Sequence, residues 1–461
     1  MAEPEVGVTP YWELTFDADG DVNAGQRDRL LREAPERGVK DLIVFAHGWN
    51  SDRSGATRLY SRFFEPFPGL APNARLGFVG VVWPSMRFSD EPIPDFERTV
   101  TAATVGPALD QGTRGGLLEV FPGRATLVDQ IARMLDQQPD EEAALEEFGR
   151  LVRLLVELHP EAPGTAFAAD TVAETGPQCD PEMFLGDAAE MCREFARALA
   201  EERAGADGEL AVGVGAGSAT GTGTGTGTEG VQASFGLPRV WDGAHELLRQ
   251  ATYFAMKRRA GTVGERGLGP LVGRLSQVAP GLRVHLVGHS FGGRLVSFAL
   301  RGLPKGVRNV KSVTLLQAAF SHYAFAARLP HDARGKGVLH GQQDRVDGPL
   351  VCCFSRFDSA LGTVYPMASR MAGDSSSAVD LRLPRLLGSK WGALGFDGVQ
   401  AVAGTKGFEL ADALRAKLPV SGCVNIDASA VVKRGGAPAG AHSDICHREL
   451  AQVVLAAGRV R

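Results

Sequence analysis

Runs of apolar residues alternate with helix-periodic segments along the first part of the chain. Two runs, at residues 41–50 (DLIVFAHGWN) and 75–85 (RLGFVGVVWPS), are almost continuously apolar, whereas residues 26–36 and 57–64 show helical spacing. A shorter strand is expected at residues 13–16. Nearly continuous apolar strands separated by helices are typical of a parallel sheet that helices cover on both faces.

The same alternation returns in the second half of the chain. A long helical pattern covers residues 240–261, and the last helix is predicted at residues 445–458. Between them, four strands are predicted at residues 282–288, 310–318, 349–355 and 423–429. The whole pattern predicts an α/β fold with a mostly parallel central sheet and helices on both faces.

A region of different character separates the two halves. Residues 88–235 contain acidic segments whose apolar positions recur at spacings of three and four, which predicts amphipathic helices. The region ends in a Gly/Thr-rich stretch at about residues 212–230, whose composition is typical of a flexible linker. We therefore predict that residues 1–87 and 236–461 form the two halves of one core, with the helical region inserted between them like a cap.

Composition and charge exclude several classes of protein. The 461 residues carry a formal net charge of −5 and no cluster of Lys and Arg, which argues against binding of nucleic acid or of an anionic membrane surface. No apolar run approaches the roughly 18 residues of a membrane span, and the first residues lack the pattern of a signal peptide. The six cysteines follow neither disulfide-framework nor metal-ligand spacing. These features predict a cytoplasmic protein without a metal site.

A candidate nucleophile, Ser290, stands after the strand at residues 282–288. Its motif, Gly-His-Ser-Phe-Gly, is weak alone, because 58 glycines predict about 0.3 chance occurrences in a chain of this size. The context is stronger, since an apolar strand precedes the motif and an apolar-faced helix follows it, as in a nucleophile elbow. Gly288 and Gly292 would let the strand and the helix approach the turn. The alternative is a purely structural strand–helix turn.

Donors for an oxyanion are expected in the turn that follows the strand at residues 41–50. The turn contains His47, Gly48 and Trp49, and a serine nucleophile needs backbone N–H groups that bind the developing negative charge. The candidate donors are the amides of Trp49 and of Phe291, the residue after the serine. Alternatively, His47 is a buried histidine in a tight turn.

The general base is expected to be a histidine after the last strand. His442 lies in a Gly/Ala/Pro-rich loop between that strand and the last helix, whereas His447 is predicted inside the helix, on its surface. We therefore favour His442 as the base, with Ser443 or Asp444 as the helix cap.

The acid that orients the base is expected in a loop after an earlier strand. Asp358 follows the strand at residues 349–355 by three positions, and the end of the preceding strand carries no carboxylate. Asp427 is the second candidate, but it is predicted within a strand. A plain loop-capping role is the alternative for Asp358.

Five short sequences, HGWN, VVWPS, GHSFGG, FSRFD and GAHSDI, resemble the α/β-hydrolase superfamily, within it a group of bacterial serine hydrolases whose substrates are mostly unassigned. The resemblance covers about residues 8–88 and 236–460 but not the helical region. It implies that Ser290 attacks an acyl carbon, that His442 accepts its proton and that Asp358 orients His442. This order along the chain is that of the superfamily.

The resemblance also implies what surrounds these residues. The amides of Trp49 and Phe291 would bind the oxyanion, and neither a metal nor an organic cofactor is required. The pocket for a small-molecule acyl substrate would be lined by His47, Gly48, Trp83 and His289. A tryptophan buried in the core is the alternative for Trp83.

Other functions stay open at this stage. The same residues could transfer the acyl group to an acceptor other than water, or cleave a thioester. A non-catalytic protein that binds a protein partner through the inserted helices is a rival of another class, but it predicts a missing triad residue and none is missing. Nucleotide-dependent enzymes are disfavoured, because the chain has no Walker lysine motif and no GxGxxG after a strand.

Overall fold

In the described part of the chain, the central sheet consists of eight parallel strands. The computed structural model describes residues 6–49, 51–86, 88, 108–156, 167, 169–172, 186–212, 237–364, 392–435 and 440–460, and only the backbone of residues 201–212, 237–239 and 363–364. The strands are β1 (Tyr11–Thr15), β2 (Asp41–Ala46), β3 (Leu76–Val82), β4 (Thr171–Val172), β5 (Arg283–His289), β6 (Val310–Leu316), β7 (Lys336–Gly337), β8 (Pro349–Phe354), β9 (Lys406–Glu409) and β10 (Gly422–Asp427). The sheet order is β1-β3-β2-β5-β6-β8-β10-β9, with every pairing parallel, and β4 and β7 form a separate antiparallel pair.

The apolar runs of the sequence form the middle of this sheet. Every residue of β2 and β3 is buried, because helices cover both faces of a parallel sheet. The predicted α/β fold with a mostly parallel sheet is confirmed. The edge strand β9 was not predicted, since its residues are mostly exposed and follow no apolar pattern.

Helices lie on both faces of the sheet. They are α1 (Ala24–Glu36), α2 (Arg53–Phe64), α3 (Phe67–Leu70), α4 (Gln111–Val120), α5 (Ala125–Gln137), α6 (Glu142–Val156), α7 (Ala188–Val212), α8 (Leu237–Thr262), α9 (Gly269–Val278), α10 (Phe291–Gly302), α11 (Leu394–Asp397), α12 (Leu410–Arg415) and α13 (Arg448–Gly458). A π-helical turn, Val263–Leu268, joins α8 to α9. One face packs against α2, α3, α12 and α13. The other face shares a continuous apolar cluster with α1 and α4–α10.

Helices α4–α7 occupy the chain between β3 and β5, where the sequence predicts amphipathic helices. Both α6 and α7 pack against α8. The Gly/Thr-rich stretch lies, beyond Val212, outside the described residues, and the division of the chain into a core and an insertion stays a prediction. Within the described ranges, no helix combines the length and the apolar character needed to cross a bilayer.

Buried charges tie a short segment of this region to the core. Asp170 pairs with Arg294 on α10 and with Lys257 on α8, whose Nζ lies 2.8 Å from Asp170 Oδ2. The N–H of Ser321 donates to the same carboxylate at 3.1 Å. Because each of these charges is at least nine-tenths buried, the pairing compensates the loss of hydration. The segment thereby connects α8 with the helix that follows the candidate nucleophile.

The strand order creates a crevice between β2 and β5. The chain continues from β2 to β3 on one side and from β5 to β6 on the other, so the loops after β2 and β5 diverge. In open parallel sheets, ligands bind at such a switch point, at the carboxyl ends of the strands. The segments that carry the predicted site residues follow β2, β5, β8 and β10 and therefore lie at this edge.

Candidate active site

Ser290 occupies the sharp turn between β5 and α10. Its backbone has φ 54° and ψ −123°, a positive φ that a residue with a Cβ atom rarely adopts. Such strain is concentrated at functional sites, where the surrounding structure maintains it. Ser290 is 1% exposed, so the turn places it in the interior at the carboxyl edge of the sheet.

Two glycines make this turn possible. A Cβ atom at Gly292 would lie 2.0 Å from the carbonyl oxygen of Ala46, at the end of β2. A Cβ atom at Gly288 would lie 2.3 Å from the carbonyl oxygen of Gly292. Both distances are far below a normal contact, so only glycine fits at either position, as the motif predicts.

The structure brings the three predicted catalytic side chains into one hydrogen-bonded series. His442 Nε2 lies 2.9 Å from Ser290 Oγ, and His442 Nδ1 lies 2.8 Å from Asp358 Oδ2. The carboxylate accepts a hydrogen bond from the Nδ1–H group, which leaves Nε2 unprotonated and able to accept the serine proton. The arrangement has the geometry of a nucleophile, a base and an orienting acid.

Asp358 is completely buried in the loop that follows β8. Burial raises the pKa of its carboxyl group above the usual range, although the neighbouring His442 acts to lower it. The second oxygen, Oδ1, accepts the N–H of Leu361 at 3.1 Å. The two acceptor bonds fix the carboxylate plane toward His442. Asp427, the second candidate, ends β10 and instead accepts the N–H of Ser429 at 2.8 Å.

The loop that carries His442 differs in two details from the prediction. His447 is the N-cap residue of α13 and not a residue inside the helix, because its own backbone is extended, with ψ 141°. Neither Ser443 nor Asp444 caps the helix. Asp444 instead accepts the N–H groups of Lys433 and Arg434 at 3.0 and 2.9 Å, which ties the loop to the turn after β10.

His47 holds the turn after β2 in one orientation. Burial lowers the pKa of His47 to about 4, so the ring is neutral near pH 7. Its Nδ1 lies 2.7 Å from the carbonyl oxygen of Gly48 and donates to it. A trans peptide places the N–H opposite the carbonyl of the same unit. The fixed Gly48 carbonyl therefore also fixes the direction of the Trp49 amide.

Trp83 supports this turn from β3. Its indole N–H donates to the carbonyl oxygen of His47 at 2.9 Å, and the two rings stack with centroids 5.6 Å apart. The hydroxyl of Tyr60 accepts the N–H of His47 at 3.2 Å. Trp83 is only 2% exposed. Its hydrogen bond and its ring contact are both with His47, in the turn that presents the predicted oxyanion donor.

The backbone N–H groups of Trp49 and Phe291 are the two predicted oxyanion donors. In the described part of the chain, neither the N–H of Trp49 nor that of Phe291 has a hydrogen-bond acceptor. Phe291 is the first residue of α10, where a helix leaves its N–H groups unbonded and favours negative charge. The Trp49 ring packs on Phe88, Tyr253 and Phe291, with centroids 6.3, 5.9 and 6.2 Å away. These aromatic rings provide an apolar surrounding that strengthens hydrogen bonds to an oxyanion.

Gln317 is a residue of this edge that the sequence does not reveal. It follows β6 with a positive φ of 42°, it is completely buried, and its side-chain amide has no hydrogen-bond partner among the described residues. The flanking backbone holds the nucleophile, because Leu316 O accepts the N–H of Ser290 at 3.1 Å and Ala319 N donates to Ser290 O at 3.2 Å. A glutamine after an apolar strand gives no sequence signal of such a turn.

Comparisons with models of protein families, with curated proteins and with solved structures find no match to this chain. In the ranges that the structure describes, no group of three or more His, Cys, Asp or Glu side chains is arranged to hold a metal ion. What the site does is therefore inferred from its geometry and chemistry.

Proposed function

We propose that the protein is a serine hydrolase of the α/β-hydrolase superfamily that cleaves a carboxylic ester of a small-molecule substrate. The observation that carries the proposal is the pair of hydrogen bonds that link Ser290 to His442 and His442 to Asp358, at 2.9 and 2.8 Å. A nucleophile, its base and an orienting carboxylate are what acyl transfer requires. The strained elbow at Ser290 adds support, because a strand–turn–helix with a reactive serine is typical of that superfamily.

In the acylation step, Ser290 Oγ bonds to the acyl carbon while His442 Nε2 accepts its proton. The carbonyl electron pair moves to oxygen, and the N–H groups of Trp49 and Phe291 bind the resulting oxyanion. When the intermediate collapses, the bond to the leaving alcohol breaks and His442 donates its proton to that oxygen. Water then repeats the sequence at the acyl-enzyme and releases the acid.

The oxyanion donors require no rearrangement in this mechanism. The His47 ring already fixes the Gly48 peptide, and α10 already begins at Phe291. Donors that are oriented before the reaction stabilise the transition state without a reorganisation cost. The aromatic rings around Trp49 lower the local dielectric and strengthen this effect.

Hydrolysis of p-nitrophenyl esters of increasing acyl length tests the proposal. The wild-type protein is expected to release p-nitrophenolate and free acid, and Ser290→Ala is expected to reduce the rate to the background. Ser297→Ala is the matched control, since this buried serine on α10 donates to Gly293 O at 2.7 Å. The Ser297→Ala variant should keep a hydrolysis rate within about twofold of the wild type. No hydrolysis of any ester by the wild type, or equal rates in Ser290→Ala, would contradict the proposal. An acylated acceptor as the main product would show that the site transfers the acyl group and does not hydrolyse it.

A further inference from the structure

His289 connects the nucleophile to the loop of the base. It is the residue before Ser290, and its Nε2 lies 2.9 Å from the carbonyl oxygen of His442. A carbonyl oxygen can only accept a hydrogen bond, so Nε2 carries the proton and donates. The bond therefore joins the end of β5 directly to the backbone of the residue whose side chain contacts Ser290 Oγ.

The same ring also lies against the turn of the oxyanion donor. A Cβ atom at Gly48 would be 3.2 Å from His289 Nδ1, so the ring packs closely on that turn. The rings of His289 and His442 are 5.0 Å apart between centroids. His289 thus contacts all three segments that must be in register for the reaction, namely the turn after β2, the elbow and the loop of the base.

The protonation state of His289 suits this connecting position. Burial and the neighbouring His442 lower the pKa of His289 to about 3, so the ring is neutral at any pH well above this value. A neutral ring keeps one donor and one defined tautomer. It also adds no positive charge beside His442 when that imidazole accepts the serine proton.

We propose that His289 is a positioning residue, which keeps His442 at hydrogen-bond distance from Ser290 by donating to the His442 carbonyl. This inference rests on the proposed serine hydrolase function, and it differs from a substrate contact. A base that is displaced by about 1 Å can cost about a hundredfold in rate. Loss of the donor should therefore lower kcat and leave KM nearly unchanged, because the bond holds the base and does not touch the substrate.

The matched variants are His289→Gln, which retains an N–H donor at a similar reach, and His289→Met, which has similar length and no donor. We expect His289→Met to lower kcat about tenfold or more with KM within about twofold, and His289→Gln to keep kcat within about threefold. His285→Leu is the control for the loss of a buried histidine on the same strand. It removes bonds to Asp41 and Ser312, both 2.9 Å long, and should lower the melting temperature without lowering kcat per folded protein.

The experiment measures kcat, KM and melting temperature on the best p-nitrophenyl ester of the wild type. The inference is supported if kcat decreases in His289→Met and in neither of the other two variants. It is wrong if kcat of His289→Met equals that of the wild type, or if kcat decreases as much in His289→Gln as in His289→Met. A rise in KM with unchanged kcat would also overturn it, since that result indicates a substrate contact. An inactive wild type would instead contradict the hydrolase function itself, so the two failures are distinguishable.

Discussion

The backbone of Gly48 lies directly against the side chain of Ser290. A Cβ atom at position 48 would be 2.8 Å from the Cβ of Ser290 and 3.3 Å from its Oγ. The glycine thus lets the oxyanion turn approach the nucleophile more closely than any other residue could. Gly48→Ala is expected to push the turn and the serine apart and to lower kcat/KM by about a hundredfold or more.

The control for this prediction is Gly281→Ala. A Cβ atom at Gly281 would have no other atom within 4 Å. Gly281 lies just before β5, the strand that leads to Ser290. Steady-state kinetics on a p-nitrophenyl ester should show wild-type activity for this control. Activity of Gly48→Ala within about threefold of the wild type would mean that the close contact is not required.

Asp358→Asn tests the orienting role of the buried carboxylate. An amide in place of Oδ2 can donate to His442 Nδ1 and thus favour the wrong tautomer, so kcat is expected to fall by about 10³ to 10⁴. Asp427→Asn is the control, because Asp427, the second candidate for the acid, ends β10 and accepts the N–H of Ser429. Equal losses in both variants, measured by kcat on one ester, would contradict the assignment of Asp358.

The buried histidines predict that the protein loses stability in mild acid. The pKa values of His47 and His289 are lowered by burial to about 4 and about 3, whereas an unfolded chain protonates histidine near its ordinary value of about 6.5. Below that value the unfolded state binds more protons than the folded state. The free energy of unfolding therefore decreases as the pH is lowered. The raised pKa of Asp358 acts in the opposite direction.

Urea unfolding at about pH 7.5 and about pH 5 measures this effect. His289→Gln removes one of these buried histidines, so its loss of stability between these two pH values should be smaller than that of the wild type by about 2 kcal/mol. The same pH dependence in both proteins would show that His289 is not held neutral in the folded state.

The Asp170–Arg294 pair predicts a large effect on stability away from the triad. Asp170→Ala leaves two buried positive charges on α8 and α10 without their carboxylate, which should lower the free energy of unfolding by about 3–5 kcal/mol. Glu147→Ala is the control, because its pairing with Arg150 is exposed and should contribute less than about 1 kcal/mol. Similar losses in both variants, measured by urea unfolding, would contradict the importance of the buried pair.

The positions of the strands that carry the site could be predicted because each is an apolar run followed by a turn signal. Ser290, Asp358 and His442 follow such runs, and the loops after parallel strands meet at one edge of a sheet. The order of the strands had no local signal, since it depends on pairings between distant segments. The edge strand β9 was not predicted, because an exposed strand needs no apolar pattern in the sequence.

The supporting residues of the site were predictable only in part. The glycines of the elbow have a local signal, because a tight turn excludes larger residues. The positive φ of Gln317 and the bond from His289 to the His442 carbonyl arise from tertiary contacts between strand ends. Trp83 contacts His47 through its indole N–H and its ring, and no spacing in the sequence indicates this contact.

Labelling with a fluorophosphonate probe tests the central claim most directly, since such probes bond to a serine that an adjacent base activates. The account predicts one label per chain, located by peptide mass spectrometry on Ser290, and no label in Ser290→Ala. It also predicts slower labelling in Asp358→Asn than in the Asp427→Asn control. A wild-type protein that takes no label, or a Ser290→Ala variant that is labelled as fast as the wild type, would contradict the claim that Ser290 is the nucleophile.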